Sequence, residues 1–498
     1  MLFFSLFASA QNEEDAIRFS RISPFGTARS AAMGGAFGAL GGDLSTLSTN
    51  PGGIGVFRKS EASFTSMLDF AHAKTGKFDY EKNMYLLGDL GFVLSFTPMS
   101  DKWKNINIGF NYTNLNNFNR NIYQGNFISK GSSMIDVWKA EADGKPVSDL
   151  NPFTTRLAYD AYLLNLPEGS TNNIYDIPIN NTHSVEELKY TKERGYQAEY
   201  AISAGANYDD KFYFGATLGI QSLHFKSYSY YTEWVVGDEI DSKLKGFTFD
   251  QDFTTSGTGV NFKFGMIYRP IPAIRIGAAI HTPTYYNLDA YAMNWVSSEF
   301  VELPFEGADP GNDLTYGMYQ ETDYSYKLKT PWRVIGSLAT VLGQRAIISA
   351  DYEYIDYTSA KFTNSGSGNE YVATNDAIKT IYKGTHNFRA GAEYRFNSVF
   401  CLRGGYAYSA SPYTKGEMNE KNDIQTITGG LGLNFGVFYA DFAYLHKNSK
   451  LNGLFYYYET SKGEVIESPE FQTKFKDNEF RLTSVSYTHL RAHETPEH

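Results

Sequence analysis

From about Glu61 to Tyr487 the chain alternates apolar and polar residues with a period of two, the pattern of strands with two unlike faces. In 195–208, Tyr196, Ala198, Tyr200, Ile202, Ala204 and Tyr208 share one face, and Gln197, Glu199, Ser203, Gly205 and Asn207 share the other. In 211–225, Phe212, Phe214, Ala216, Leu218 and Ile220 oppose Tyr213, Gly215, Thr217, Gly219 and Gln221. In 381–396, Phe388, Ala390, Ala392, Tyr394 and Phe396 oppose Asn387, Arg389, Gly391, Glu393 and Arg395. About fourteen such strands are predicted, near 61–71, 87–98, 104–118, 195–208, 211–225, 255–269, 273–286, 325–340, 345–358, 381–396, 399–410, 423–435, 437–448 and 472–487. The apolar face is too regular for chance, and the opposite face is too polar for a membrane helix. Strands that cross a bilayer must close on themselves, because no backbone group can go unpaired in hydrocarbon. The pattern therefore predicts an all-β fold: a membrane-spanning antiparallel β-barrel of about fourteen strands over 59–487, apolar outside and polar within. A charge facing lipid costs about 2–4 kcal/mol at the midplane, so the polar rows face the lumen.

The connections divide into two kinds. Asp209-Asp210, Pro270 to Pro272, Leu342 to Gln344, Asn397-Ser398 and Gly436 are tight turns, whereas 119–194, 226–254, 287–324, 359–380 and 449–471 are long. Short turns belong to the periplasmic rim and long loops to the outside. Residues 11–58 break the strand rhythm. They are small and glycine-rich (Gly34-Gly35, Gly38, Gly41-Gly42, Gly52-Gly53, Gly55), which suits a plug packed inside the lumen. Ahead of them, Leu2 to Phe7 and Ala8-Ser9-Ala10 read as the remnant of a signal peptide, residues 1–10. The polar stretch 486–498 does not resemble a barrel's closing strand and reads as a non-native tail.

Composition refines the class. Among 498 residues, 42% are hydrophobic and 20% charged, averages a soluble sandwich or propeller would share. The 38 Tyr and 37 Phe tip the balance, since barrels place aromatic girdles at both membrane interfaces. No run of eighteen apolar residues occurs, which excludes a helical membrane protein. A net charge of −11 argues against nucleic acid. The single cysteine, Cys401, excludes an internal disulfide framework and a cysteine-rich metal site. No cofactor or metal is expected.

Candidate chemistry lies on the inward rows. Arg275, Arg333, Arg389, Arg395 and Arg403 face the lumen beside Asp351, Glu353 and Glu393. An ion-pair network tying wall to plug is one role for them; bidentate capture of a cargo carboxylate by one arginine is another. His224, His386 and His446 fall on the outward row near the outer strand ends, where amphipathic rings suit the interface. No serine or acid shares their register, so no enzyme is expected. Asn50-Pro51 favours a rigid reversal. The glycines of 34–42 lack the spacing of a phosphate loop.

Gly26-Thr-Ala-Arg-Ser-Ala-Ala-Met-Gly-Gly-Ala-Phe-Gly-Ala-Leu-Gly-Gly-Asp43, followed by Asn50-Pro51-Gly52-Gly53, resembles the N-terminal hatch of the FadL/TodX outer-membrane transport family. Gly52 stands where that family usually has alanine. The Tyr/Asn-rich strands and Gln11 after the cleavage site resemble the branch found in Bacteroidetes. The resemblance implies a fourteen-stranded barrel whose lumen is closed by a hatch, with Arg29, Met33, Gly34, Gly35, Asn50, Pro51 and Gly52 as its gating residues. It implies passive uptake of a hydrophobic small molecule or lipid, such as a long-chain fatty acid, by a monomer in the outer membrane of a Gram-negative bacterium. It also implies a lateral gate at a kink in the third strand, for which Gly109 is the glycine available. A general diffusion porin or a structural, adhesive barrel is the competing expectation.

Overall fold

The computed structural model describes residues 13–23, 25–179, 184–236, 242–305, 314–343, 345–364, 371–436 and 438–488. Residues 1–10, expected from the sequence to be a signal-peptide remnant, and the end 489–498 lie outside them. The strands are β1 (Ser60–Thr75), β2 (Phe78–Phe96), β3 (Trp103–Asn117), β4 (Arg120–Lys130), β5 (Ser184–Tyr208), β6 (Phe212–Val236), β7 (Leu244–Ile271), β8 (Ile274–His281), β9 (Tyr285–Phe300), β10 (Thr315–Lys329), β11 (Arg333–Leu342), β12 (Ala346–Asp356), β13 (Lys361–Asn364), β14 (Gly384–Arg395), β15 (Phe400–Ser409), β16 (Ile424–Asn434), β17 (Phe438–Gly453), β18 (Tyr457–Glu459), β19 (Val465–Glu467) and β20 (Phe471–Thr488). Fourteen antiparallel strands form a closed ring in the order β1, β2, β3, β5, β6, β7, β8, β11, β12, β14, β15, β16, β17, β20, and β20 returns to β1 with Ser60 opposite Thr488.

The outward row carries the exposed apolar side chains: Tyr200, Ile202, Phe214, Phe262, Leu338, Phe388 and Leu431 are all exposed. Inward neighbours such as Gln197, Glu199, Ser203 and Asn207 are buried. The tight turns gather at one end, as the two kinds of connection predicted.

Three features depart from the sequence reading. First, β5 and β6 run 25 residues each and β7 runs 28, whereas about 9–11 residues cross a bilayer. Much of 226–254 and 287–324, read as loop, is strand rising beyond the membrane. Outside hydrocarbon the outer face can be polar, so Lys226, Asp250 and Asp252 break the apolar alternation without ending the ladder. Second, the strands predicted at 273–286 and 325–340 are each interrupted, at Thr282–Thr284 and Thr330–Trp332. Pro283 and Pro331 lack the ladder N–H; the gap is bridged by Thr284 N–H donating to Thr330 Oγ1 (2.8 Å) and Thr330 N–H to Thr284 O (3.0 Å). Third, the last strand runs one residue past its predicted end: Ser486 and Tyr487 pair with Ala62 and Glu61, and Thr488 with Ser60.

The helices are α1 (Glu13–Ser20), α2 (Ala28–Ala32), α3 (Thr46–Thr49), α4 (Met134–Ala142), α5 (Thr155–Asp160) and α6 (Val372–Ile381). The first three belong to the N-terminal segment, which lies inside the ring. The long connection after β4 folds back as a cap at the outer end. Its Trp138 is buried against Phe247 and Phe249 on β7, within a core that includes Tyr231, Val296, Phe300 and Tyr456. Ser133 Oγ accepts from Ile135 N–H and Asp136 returns a bond to Ser133 N–H, a capping box that starts α4.

Candidate functional site

The N-terminal segment is built to turn often. Thr27 caps α2 by accepting from Ser30 N–H (3.2 Å), and its hydroxyl also donates to Asp43, which receives Ser45 N–H as well. Gly34 sits at φ +66°, with the Tyr406 backbone so near that a methyl group would lie 2.9 Å from its N and O. Only glycine fits both the dihedral and the approach. Asn50 Oδ1 accepts from Gly52 N–H (3.0 Å), while its Nδ2 donates to Met266 O on β7 (3.2 Å) and to Gly38 O. Pro51 then opens a 3-10 turn over Pro51–Val56.

The segment touches the wall backbone to backbone. A methyl group on Gly52 would stand 2.7 Å from Met266 Cα. On the wall, inward-facing Gly215 meets Pro51 O, Gly265 meets Asn50, Gly277 meets Gly38 O, and Gly391 meets Met33 O. These positions have no room for a side chain, so the barrel is moulded around the segment. Met33 itself packs with Phe37, Ala39, Leu40 and Ala339. Gly35, at φ +75°, lies against the Phe25 ring.

Polar ties run around the ring, mostly from wall side chains to segment carbonyls. Arg275 donates to Leu40 O and Arg333 to Ser20 O. Asp351 Oδ2 accepts from Gly38 N–H (3.0 Å). Arg333 (3.1 Å) and Arg389 (2.7 Å) clasp Glu353, which also takes a bond from Asn387. Glu393 is the second hub. Arg29 of the segment reaches it at 3.3 Å, Arg395 and Arg403 at 2.8 Å each, and Arg403 continues to Asp441 at 2.5 Å. Of the inward arginines and acids named from the sequence, Arg275 and Asp351 hold segment backbone, and the other six meet in two clusters, one of which includes the segment's own Arg29. Buried charges in such clusters stay put because each has a partner.

Other ties had weaker sequence signals. His281 Nε2 meets Thr49 O at 2.7 Å, which places the ring proton on that nitrogen. Asn107 donates to Ile54 O (2.6 Å) and Phe57 O (2.9 Å), Thr217 to Leu47 O (2.9 Å) and Thr428 to Ala32 O (2.9 Å). Lys263 pairs with buried Glu199. The periodic inward Asn and Thr of the strands were legible as a polar row; their backbone partners were not. At Gly109, β3 pairs regularly with Val93 and Ser203, and its bare face is filled by Leu47 and Ile54. The register shifts of β3 lie instead at Trp103/Asn105 and Asn114/Asn116. On the outer face, His386 Nδ1 meets Tyr352 OH (2.7 Å) and His446 Nδ1 meets Asn478 Oδ1 (2.8 Å).

Above the turns of the segment, α1 packs into an apolar cluster in the lumen. Ala16, Ile17 and Phe19 are buried with Phe118, Leu223, Phe225, Tyr286, Leu288 and Tyr326, and α6 covers them from outside. Phe19 meets Phe118 and Phe225 edge to face, with centroids 6.1 and 5.9 Å away. Polar groups border it: Gln197 donates to Phe19 O (3.0 Å) and to Tyr286 OH (2.8 Å), and Arg18, paired with Asp15, lies over the Phe225 ring at 4.7 Å. At the opposite, turn-bearing end, a cavity of about 580 Å3 is lined by Arg29, Arg345, Arg395, Tyr439 and Tyr487.

No protein-family model matches this chain, and no curated protein matches its sequence. Solved structures match the fold over nearly the whole length. A FadL homologue of Pseudomonas aeruginosa is 14% identical with a TM-score of 0.55, covering 94% of this chain and 99% of that one. The P. putida toluene transporter TodX is 12% identical with a TM-score of 0.50, covering 94% and 100%. The CymD monoaromatic hydrocarbon channel is 10% identical with a TM-score of 0.50, covering 94% and 99%. The fold of this chain is the FadL/TodX-type barrel.

Proposed function

We propose that this FadL/TodX-type barrel is an outer-membrane channel of a Gram-negative bacterium, for passive uptake of apolar or amphipathic small molecules such as long-chain fatty acids. Residues 11–58 act as its hatch. The observation that carries the reading is the apolar lining of the lumen around α1: a wall of Phe, Tyr and Leu suits an apolar solute that takes the place of α1, where a diffusion porin would line its lumen with water and charge. Burying a solute there is favourable by roughly 0.8 kcal/mol per methylene, so capture needs no energy source. The named function of the matching structures, hydrocarbon and toluene transport, points the same way. Arg29, Met33, Gly34, Gly35, Asn50, Pro51 and Gly52 are the gating residues, because they hold the hatch to the wall. The channel works as a monomer surrounded by outer-membrane lipid, and it is not an enzyme.

The test is transport into liposomes. Intact protein should show saturable uptake of a fatty acid or hydrocarbon and little passage of sugars. Removing residues 11–55 should raise ion conductance and sugar passage together. Free sugar passage through the intact protein, with no saturable lipid uptake, would establish a porin instead.

A further inference from the structure

The wall between β3, β5 and β6 carries small residues near its turn-bearing rim. In the β5–β6 ladder Ala204 faces Ala216, and one step along Gly205 faces Gly215. Ala204 and Ala216 point outward, and the two glycines point into the lumen. Around this pair the outward residues are large: Ile108 beside Ala204 on β3, Ile202 two residues further up β5, and Phe214 and Trp103 toward the turns, opposite Ala206 and Tyr208. The result is an open apolar trough of about 720 Å3 on the lipid-facing surface, lined by Trp103, Ile106, Ala204, Ala206, Phe214 and Ala216. Its floor is shut. Ile54 stands behind Gly205 and Pro51 behind Gly215, so the trough does not communicate with the lumen.

Two observations fix its depth and its charge. Trp103 meets Tyr208 edge to face at 5.1 Å, and Phe212 stacks on Tyr268 at 4.7 Å. These rings form the aromatic belt of the periplasmic interface, so the trough starts at headgroup depth and runs into hydrocarbon. Lys102 and Lys104 flank Trp103, are exposed, and have no acidic partner among the described residues. Lys104 Nζ bonds only a carbonyl, Asp101 O, at 2.6 Å. Lys211 is exposed across the trough mouth and pairs with Asp209 at 3.4 Å.

We propose that this trough is a binding site for one phospholipid of the periplasmic leaflet. An acyl chain lies over Ala204, Ala206 and Ala216, and the phosphate rests on Lys102 and Lys104. Lipid tails are as apolar as leucine, so retention comes from close packing in the dent and from the headgroup charge. The shut floor separates this lipid from cargo in the lumen. The proposal rests on the membrane orientation of the barrel and not on what the channel carries.

Native mass spectrometry of the full chain released from nanodiscs of equal phosphatidylglycerol and phosphatidylethanolamine tests it. Wild type should carry one phospholipid, enriched several-fold for phosphatidylglycerol. Ala204→Leu with Ala216→Leu fills the trough with residues usual on a lipid-facing wall and should abolish the adduct. Lys102→Glu with Lys104→Glu should remove the headgroup preference. Heat-modifiable gel migration checks that each variant is folded. Brominated phosphatidylglycerol should quench Trp103 fluorescence, read as the difference from Trp103→Phe, more strongly than the brominated ethanolamine lipid does, which requires no trough variant to fold. An adduct unchanged in the filled variant, an adduct without phosphate, or equal quenching by both lipids would overturn the proposal. Wild type that carries the phospholipid but shows no saturable uptake of apolar solutes would count against the channel reading alone.

Discussion

Glu187 and Glu233 stand directly opposite each other on β5 and β6, both closed off from solvent. They lie far above the apolar band, in the part of the wall that holds the outer cap. Met134 N–H, at the start of α4, donates to Glu233 (2.7 Å), as do Tyr231 OH (2.7 Å) and Ser133 Oγ. Ser129 Oγ (2.7 Å) and Tyr456 OH (2.9 Å) donate to Glu187. Burial pushes the Glu187 carboxyl up to about 7. Burial, with the charge of Glu187 beside it, pushes Glu233 up to about 8.

These carboxyls bind a proton more tightly in the closed cap than in an opened one, where a glutamate titrates near about 4.3. Their stabilisation is complete below that value and is lost as pH rises through 7 and 8. Hydrogen exchange in 134–142 should therefore accelerate between pH 6 and about 9 beyond its intrinsic rate. Glu233→Gln should hold the cap closed across that range. A cap equally protected at both ends of the range would contradict this.

At Glu393, charge removal should be asymmetric. Glu393→Ala leaves the segment's Arg29 without its acid and Arg403 with Asp441 alone, and should destabilise the folded barrel by about 3–5 kcal/mol, the usual result of breaking a buried pair from one side. Arg29→Ala leaves Glu393 with Arg395 and Arg403 and should cost much less. Urea unfolding of the two variants in the same lipid checks the order.

Asn50→Ala removes three bonds at once, to Gly52, Gly38 and Met266. Each buried partner left unpaired costs about 1–3 kcal/mol. The barrel should survive, since no ladder bond is lost, while the hatch loosens. Planar-bilayer recordings should show more frequent openings than wild type; an unchanged trace would show that Asn50 is not part of the gate.

Gly391→Leu puts a side chain where Met33 O lies against the wall. The variant should still migrate as a folded barrel, yet protease should cleave residues 28–40, which are protected in wild type. Gly336→Leu is the control, because nothing lies within 4 Å of its outer face.

How far the sequence could be read follows from what each contact requires. The period-two alternation marked the spanning strands because hydrocarbon demands an apolar row. Above the membrane that demand ends, which is why Lys226 and Asp252 concealed the upper half of β6 and β7. Pro283 and Pro331 were visible, but their breaks made sense only once they stood side by side on neighbouring strands. The inward Arg275 and Asp351 were legible as lumen groups. Their partners, Leu40 O and Gly38 N–H, are backbone atoms, and no side-chain pattern marks a backbone atom. The cap was missed although Ser133 and Asp136 form a capping box ahead of Ile135, Val137 and Trp138.

The seam between β1 and β20 has a topological meaning. Residues 13–23 and 25–57 lie within a ring whose first strand begins shortly after them and whose last strand closes on that first one. Wall glycines such as Gly215 and Gly391 touch the segment's backbone, so it cannot be slid in lengthwise past a finished wall. The N-terminal segment must be gathered inside while the sheet is still an open, curling ribbon, and the zipping of Thr473–Thr488 onto Ser60–Thr75 then seals it in. Biogenesis of this protein is an act of enclosure, with the N-terminal segment in place before the barrel exists as a barrel.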